Sequence, residues 1–328
     1  MSASGKFLSE LQPNTTIRDA IRAALGIRLQ SVAEFLPKVQ IVGSDQAEAI
    51  HQLRVSTRRA NAVIRIFGDV LPFKWAKQLR RCLRSIRQAA GDARDADVFI
   101  EFLAQHPTPK RVNATIDAFL RGYLLALRSE AQQRLNDAVR LHRPDLEQFQ
   151  VDLNGGLFEK IRPERAERNL TDLAAISIPE CIRAVEEAAV RMPTIVEELH
   201  QIRILGKRLR YSMEVFSNCY APPFRDRYYP AIERLQKLLG EINDLSGANQ
   251  RLLKVAESIR QFQADHSEKR IDAFQEWANG FMRPIPELRE AFQSWWIDWR
   301  GLRQTYPLEP LRITADEVNI LDSADRSS

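Results

Sequence analysis

Ile50-His51-Gln52-Leu53-Arg54-Val55-Ser56-Thr57-Arg58-Arg59 is followed, 149 residues later, by Leu199-His200-Gln201-Ile202-Arg203-Ile204-Leu205-Gly206-Lys207-Arg208. The offset does not drift: Phe67 falls on Phe216, Gly91 on Gly240 and Asp95 on Asp244. A constant offset over about 45 residues is the mark of a structural unit present twice rather than of a chance motif. Most of what the two copies share is positive charge. A duplicated cationic helix face suggests a duplicated surface for a polyanion.

Each copy divides by periodicity into two stripes. Ile50, Leu53, Thr57, Ala60, Ile64, Phe67 and Leu71 step by three and four, as do Leu199, Ile202, Gly206, Leu209, Met213, Phe216 and Tyr220. That spacing predicts a helical core seam. One residue further round lie His51, Arg54, Arg58 and Arg65, and in the second copy His200, Arg203, Lys207 and Arg210. Arg59 and Arg208 sit next to these rows. The following segment adds Lys77, Arg80, Arg81, Arg84 and Arg87 on one broad face, with Leu79, Leu83, Ile86 and Ala90 on the other. Its second-copy counterparts thin to Arg227, Arg234 and Lys237.

The charge is concentrated in these segments. His51 to Asp95 holds 11 Lys/Arg against 3 Asp/Glu, and His200 to Gly240 holds 8 against 3. The whole chain is only +5, so the remainder is net negative. Such local concentration reads as the footprint of a polyanion site. With 44% apolar residues the 328-residue chain can build a sizeable core. Glycine is sparse, Arg, Leu, Ala, Glu and Gln dominate, and no segment alternates as a strand would, so the class expected is all-α. Cys82, Cys181 and Cys219 form no CxxC pair, which fits a reducing compartment and signals neither a zinc ribbon nor a redox motif. No secretory h-region and no apolar run of about 18 residues is present, so a soluble cytoplasmic protein is expected.

Capping and proline signals place the helices. Thr15 or Thr16 caps a first helix, with Asp19 as partner, and Ser44 or Asp45 caps a second that runs to Leu71. A third is expected over 73–105 and a fourth over about 109–142. In the second half Pro193 opens a helix ended by Pro222-Pro223, residues 225–264 form its partner, and a last helix carries Trp295, Trp296 and Trp299 as core. Gly155-Gly156 and Pro163 mark 152–177 as a crossover with room for one short helix of its own. The units expected are thus 1–150, 151–310 and a polar tail over 311–328.

Each functional signal has a plainer alternative. A charged stripe is ordinarily a solvated face, but such faces mix signs to form i,i+4 pairs, and these stripes are almost purely positive in both copies. His51 and His200 lack the carboxylate spacing of a metal site; they fit either an orienting structural role or contact with an anion. Gly91 and Gly240 suggest close helix approach. Asp95, Asp244 and Asp97 suit acids that hold arginines in place better than a magnesium site. No P-loop, GxSxG or acidic triad appears, so neither a metal nor a cofactor is expected.

The run His-x-x-Arg-x-x-x-[Arg/Lys]-Arg followed by a Gly-x-x-x-Asp element, repeated once, resembles the CHAD domain (conserved histidine α-helical domain). The matching residues are His51, Arg54, Arg58 and Arg59 with Arg94-Asp95-Ala96-Asp97-Val98, then His200, Arg203, Lys207, Arg208, Leu209, Arg210 and Tyr211 with Leu239-Gly240 and Asn243-Asp244. The resemblance covers about residues 14–302. It implies two four-helix bundles related by a pseudo-twofold axis, binding of inorganic polyphosphate along a basic channel, and association with polyphosphate granules. Ala90-Gly91 stands where Leu-Gly is usual, and Asn61 where the second copy has Arg210.

Polyphosphate has charge but no bases, so its receptor needs spaced, rigid cations and no stacking platform. Arg outnumbers Lys in both windows and suits phosphate oxygens with its planar, bidentate donors. A single-stranded RNA binder would interleave aromatics with the cations, yet 51–95 contains only Phe67, Phe73 and Trp75. The expectation is a non-enzymatic polyphosphate-binding module using His51, Arg54, Arg58, Arg59, Lys77, Arg80, Arg81, Arg84, Arg87, His200, Arg203, Lys207, Arg208, Arg210, Arg234 and Lys237. The alternatives are a metal-dependent polyphosphate-processing enzyme and an RNA-binding helical protein.

Overall fold

The two quoted stretches form the helices α2 (Gln46–Ile66) and α7 (Val196–Val215), and every position of both core seams is buried. The other helices of this computed structural model are α1 (Ile17–Lys38), α3 (Phe73–Gln105), α4 (Ala114–Asn154), the one-turn α5 (Pro163–Ala166), α6 (Leu170–Ala189), α8 (Tyr229–Phe262), α9 (Glu268–Gly280) and α10 (Ile285–Thr305). The structure describes residues 5–109, 114–161, 163–262, 268–314 and 317. It is about 81% helical. Two isolated β-bridges, and no strand, occur among the described residues. The chain is all-α.

Helix starts follow the local chemistry. Thr16, rather than Thr15, caps α1: its hydroxyl accepts from the Asp19 N–H at 3.2 Å and donates to the Asp19 carboxylate at 2.9 Å. Pro72 stands at the N-cap of α3, whose bounds match the expected 73–105. Several helices depart from expectation: α2 stops at Ile66 instead of Leu71, and α7 runs only from Val196 to Val215, inside the expected limits at Pro193 and Pro222. α4 runs on to Asn154 with Pro144 inside it, and α6, with Pro179 inside it, begins at Leu170 within the last third of the expected crossover. Proline deletes one hydrogen bond from a ladder, but α4 lies along α3 and α1, and α6 along α7, so packing carries both helices past it. α9 had no counterpart among the expected helices, and the helix after Pro222-Pro223 starts with a π turn over Phe224–Tyr228.

Packing gathers α1 to α4 around one another, and α7 against α6 and α8, with α9 and α10 both lying on α8. α2 and α7 touch directly. A separate apolar cluster joins Phe99, Ile116, Leu120 and Leu124 of α3 and α4 to Leu252 and Val255 of α8 and Phe274 of α9. Trp295, Trp296 and Trp299 are buried core. Residues 311–313 were expected to start the polar tail; instead Ala221 N–H donates to Leu311 C=O at 2.7 Å and Ile313 N–H to Cys219 C=O at 2.9 Å. The tail residues after 314, other than Glu317, lie outside the described residues.

Glycine positions also depart from the simple reading. An added Cβ at Gly240 would meet nothing within 4 Å, and at Gly91 it would meet the Arg54 guanidinium carbon at 3.8 Å. Both separations leave room for a methyl group, so neither glycine marks a close approach of two helices. The tight approach is at Gly206, where a Cβ would stand 2.4 Å from Gln236 Nε2 and 3.3 Å from Leu235 Cδ2. There α7 closes on α8, and Gln236 Nε2 donates to Arg203 C=O at 3.1 Å.

Near the α2–α7 contact lies a buried acid. Glu214 stands at the repeat position of Arg65, so here the two copies differ in sign. It is 1% exposed and accepts from Arg59 Nε at 2.8 Å and from Tyr229 Oη at 3.0 Å. Arg28, also buried, reaches it at 4.0 Å and donates to the carbonyls of Gly5 and Lys6. Burial and the neighbouring Arg59 bring the Arg28 guanidinium down to about 10. One carboxylate thus ties α1, α2 and α8 to α7. Glu214→Ala should lower unfolding free energy by about 3 kcal/mol, because two buried guanidinium groups lose their counter-charge; denaturant unfolding followed by circular dichroism measures it.

Candidate functional site

A cleft of about 290 Å³ opens where α2, α3, α7 and α8 converge. α2 contributes His51, Arg54 and Arg58, α3 contributes Arg94, Asp95, Phe99 and Phe102, α7 contributes Arg203, and α8 contributes Asn243, Asp244 and Arg251. Arg54 and Arg203 are equivalent in the two copies, and their helical spacing brings both to the same wall. Asp95 holds the near end: it accepts from Arg54 Nη1 at 2.7 Å and pairs with Arg251 at 3.3 Å. Asp97 pairs instead with Arg128 of α4. The acids of α3 therefore hold arginines, as expected, whereas Asp244 makes no ion pair with a described residue and accepts from Asn243.

Beside the cleft the acids run out. Arg58 carries a depressed pKa, first through desolvation and then through Arg54, with Arg203 and Arg87 adding to it. Arg87 is lowered by burial, by Arg84 and by Arg54. Arg203 is lowered by burial, although Asp244 opposes the shift, and its Nε is buried without a hydrogen-bond partner. Lys207 suffers most. Desolvation, then Arg58, Arg203, Arg54 and Arg210, push its ammonium from 10.5 down to about 6. Arg58, Arg87, Arg203 and Lys207 make no ion pair with any described residue. Two physical effects act together here, since burial and like charge both disfavour the charged form. The arginines stay charged regardless.

A second cleft, of about 230 Å³, lies between α2, α6 and α7 and is lined by Arg65, Arg208, Glu180 and Cys181. Arg65 is lowered by burial and by Arg208 and Arg80.

The other expected site residues are dispersed. Arg59 points to Glu214 and not to the first cleft. Arg80 donates to the Ile64 carbonyl at 2.9 Å. Arg234 pairs with Asp298 of α10 at 2.7 Å. Lys77 lies over the Phe73 ring, and Lys237 and Arg81 are exposed. Arg210 stacks on Tyr211 at 4.9 Å. The histidines are not equivalent. His51 lines the first cleft with its pKa lowered by burial and by Arg94, whereas exposed His200 donates from Nδ1 to Asn243 Oδ1 at 2.8 Å. Arg94 and Arg251 were not among the expected site residues. Arg251 has no cationic repeat partner, since its counterpart is Phe102, so the repeat could not mark it.

The fold and this geometry can be set beside known proteins. A family model for the CHAD domain matches residues 23–253, and the chain belongs to that family. Two curated relatives, both uncharacterized proteins from strains of Mycobacterium tuberculosis, are 26% identical over 252 residues, which is 69% of this chain and 44% of theirs. The chain spans less than half the length of these relatives. The crystal structure of the CHAD domain from the plant Ricinus communis superimposes with a TM-score of 0.65 at 21% identity, covering 87% of this chain and 93% of that one. PptA from Streptomyces chartreusis gives 0.66 at 17% identity, covering 86% and 99%. At these identities the likeness is one of fold.

Two cations of α2 and α7 should respond with opposite signs. Lys207→Met, which removes an uncompensated buried amine, should raise unfolding free energy by about 1 kcal/mol in the absence of anions, while Arg59→Met should lower it by about 3 kcal/mol. Thermal unfolding in low-phosphate buffer compares the two.

Proposed function

We propose that this protein is a non-enzymatic module that binds inorganic polyphosphate, with the polymer seated against Arg54, Arg58, Arg87, Arg203 and Lys207. The observation that carries this reading is the gathering of these cations, from three helices, with no acid to balance them beyond Asp95 and Asp244 at the edge. A polyanion would supply the missing negative charge along a line. The arginines can each grip phosphate oxygens with two parallel donors. Membership of the CHAD family supports the same ligand. We take the two helix groups as copies of one unit, a reading supported by the constant 149-residue offset. Among the described residues no helix is long and apolar enough to cross a membrane, and the proposed setting is the cytoplasm, on polyphosphate granules.

RNA is the competing ligand. Phe99 and Phe102 line the cleft, but Phe99 is buried and Phe102 already stacks on His106 at 4.4 Å. Phe99 is thus closed to a base, and Phe102 has one ring face already taken. A titration of polyphosphate, single-stranded RNA, DNA and heparin at one salt concentration should rank polyphosphate first; tighter binding of RNA would overturn the reading. Phosphate release from long-chain polyphosphate with added magnesium or manganese should stay at the no-protein rate, and turnover would replace the binding module with an enzyme. Affinity should fall steeply with salt, as expected when several cations displace counterions. Arg58→Ala with Lys207→Ala should weaken binding at least tenfold without loss of helicity.

The pH dependence has a definite sign. In the free protein Lys207 titrates at about 6, so at pH 7 it is mostly neutral. Polyphosphate favours its charged form and raises that value in the complex. Binding therefore takes up a proton between the two values, affinity rises as pH falls across that window, and below about 6 the Lys207 contribution levels off. His51 adds a further rise over a window that begins at its lowered free value and extends up to the value the polyanion gives it. Calorimetry in buffers of different ionisation enthalpy should register proton uptake at pH 7.5 in the native chain and its loss in Lys207→Arg.

A further inference from the structure

On the far side of the first helix group, three residues of different donor chemistry converge. Cys82 comes from α3; His142 and Asp145 come from consecutive turns of α4. One ligand atom from each lies within 4.8 Å of the other two. The burial is graded. The Cys82 thiol is buried, the His142 side chain is 12% exposed and that of Asp145 is 58% exposed. An ion arriving from solvent would meet the carboxylate first and the sulfur last.

We propose that Cys82, His142 and Asp145 form a binding site for a zinc-class divalent cation, tying α3 to α4 and leaving one coordination position to water. Thiolate, imidazole and carboxylate together select a borderline-soft metal. Magnesium and calcium prefer oxygen donors alone. Three protein ligands plus water complete the tetrahedral set zinc favours, with metal–ligand bonds of about 2.0–2.3 Å. Ligand atoms in such a set lie about 3.3–3.6 Å apart, so any pair now standing as far apart as 4.8 Å must draw in. The present contacts are weak enough to yield: Cys82 Sγ stands 4.0 Å from the His142 carbonyl oxygen and His142 Nδ1 stands 3.2 Å from Asp145 Oδ2. Pro144 lies between the two α4 ligands and removes one backbone N–H from the ladder, which loosens the helix at this point. As the metal–sulfur bond forms, the thiol proton passes to solvent and the imidazole binds in its neutral form. The repeat does not supply a second such site, because the counterpart of Cys82 is Ala231.

Cobalt(II) serves as a spectroscopic stand-in for zinc. The full chain, stripped with chelator, should take up one cobalt per molecule at this site with a thiolate-to-cobalt charge-transfer band. Cys82→Ser should abolish the band, while Cys181→Ser and Cys219→Ser keep it. Zinc should displace the cobalt and raise the melting temperature of the native chain but not of Cys82→Ser. Asp145→Asn, at an exposed position that leaves the fold intact, should weaken cobalt binding by about tenfold or more. The proposal is overturned if no thiolate band forms, if the band survives Cys82→Ser, or if Asp145→Asn binds cobalt like the native chain. The last comparison decides the matter even if Cys82→Ser fails to fold.

Discussion

The contact between α2 and α7 brings together two helices that each carry a row of cations, and the rest of the molecule is arranged around that repulsion. Apolar seams hold the helices in their groups: Leu53 and Phe67 on one, Leu209 and Phe216 on the other, all fully buried. The flanking charges are handled in two ways. Glu214 receives Arg59 and Tyr229 directly and stands near Arg28, so these positive charges are balanced within the protein. Around Arg58 and Lys207 nothing comparable is provided. A buried charge without a partner is costly, and Lys207 relieves part of that cost by giving up its proton.

This division explains why neighbouring cations differ in character. Arg58 and Arg59 are adjacent in sequence, yet one faces other cations and the other faces a carboxylate. The same contrast separates Arg203, with its unpartnered Nε, from Arg54, which Asp95 steadies. Strain of this kind, held in place by a well-packed surround, is a usual property of ligand sites.

Much of the fold was legible in the sequence. Helical periodicity is a local property, and it located both seams, the cationic rows beside them, the extent of α3 and the buried tryptophans, while local capping chemistry narrowed the α1 cap to Thr15 or Thr16. It failed where tertiary packing overrides a local signal. The expected end of α4 near His142 was too early, and α6 was not foreseen; both helices contain a proline, and packing against neighbouring helices carries them through it. Gly91 and Gly240 looked equivalent, yet the close helix approach belongs to Gly206.

What the sequence by itself determined was which residues share a helix face, and therefore that positive charge would line two core-packed helices. Only the tertiary structure decided which of those charges remain unbalanced. Coulomb energy depends on distance across helices, and no spacing along α2 reveals that Glu214 of α7 reaches Arg59, or that Arg251 of α8 joins Asp95. The same holds for Cys82 and His142, sixty residues apart in the chain and adjacent only because α3 and α4 pack side by side.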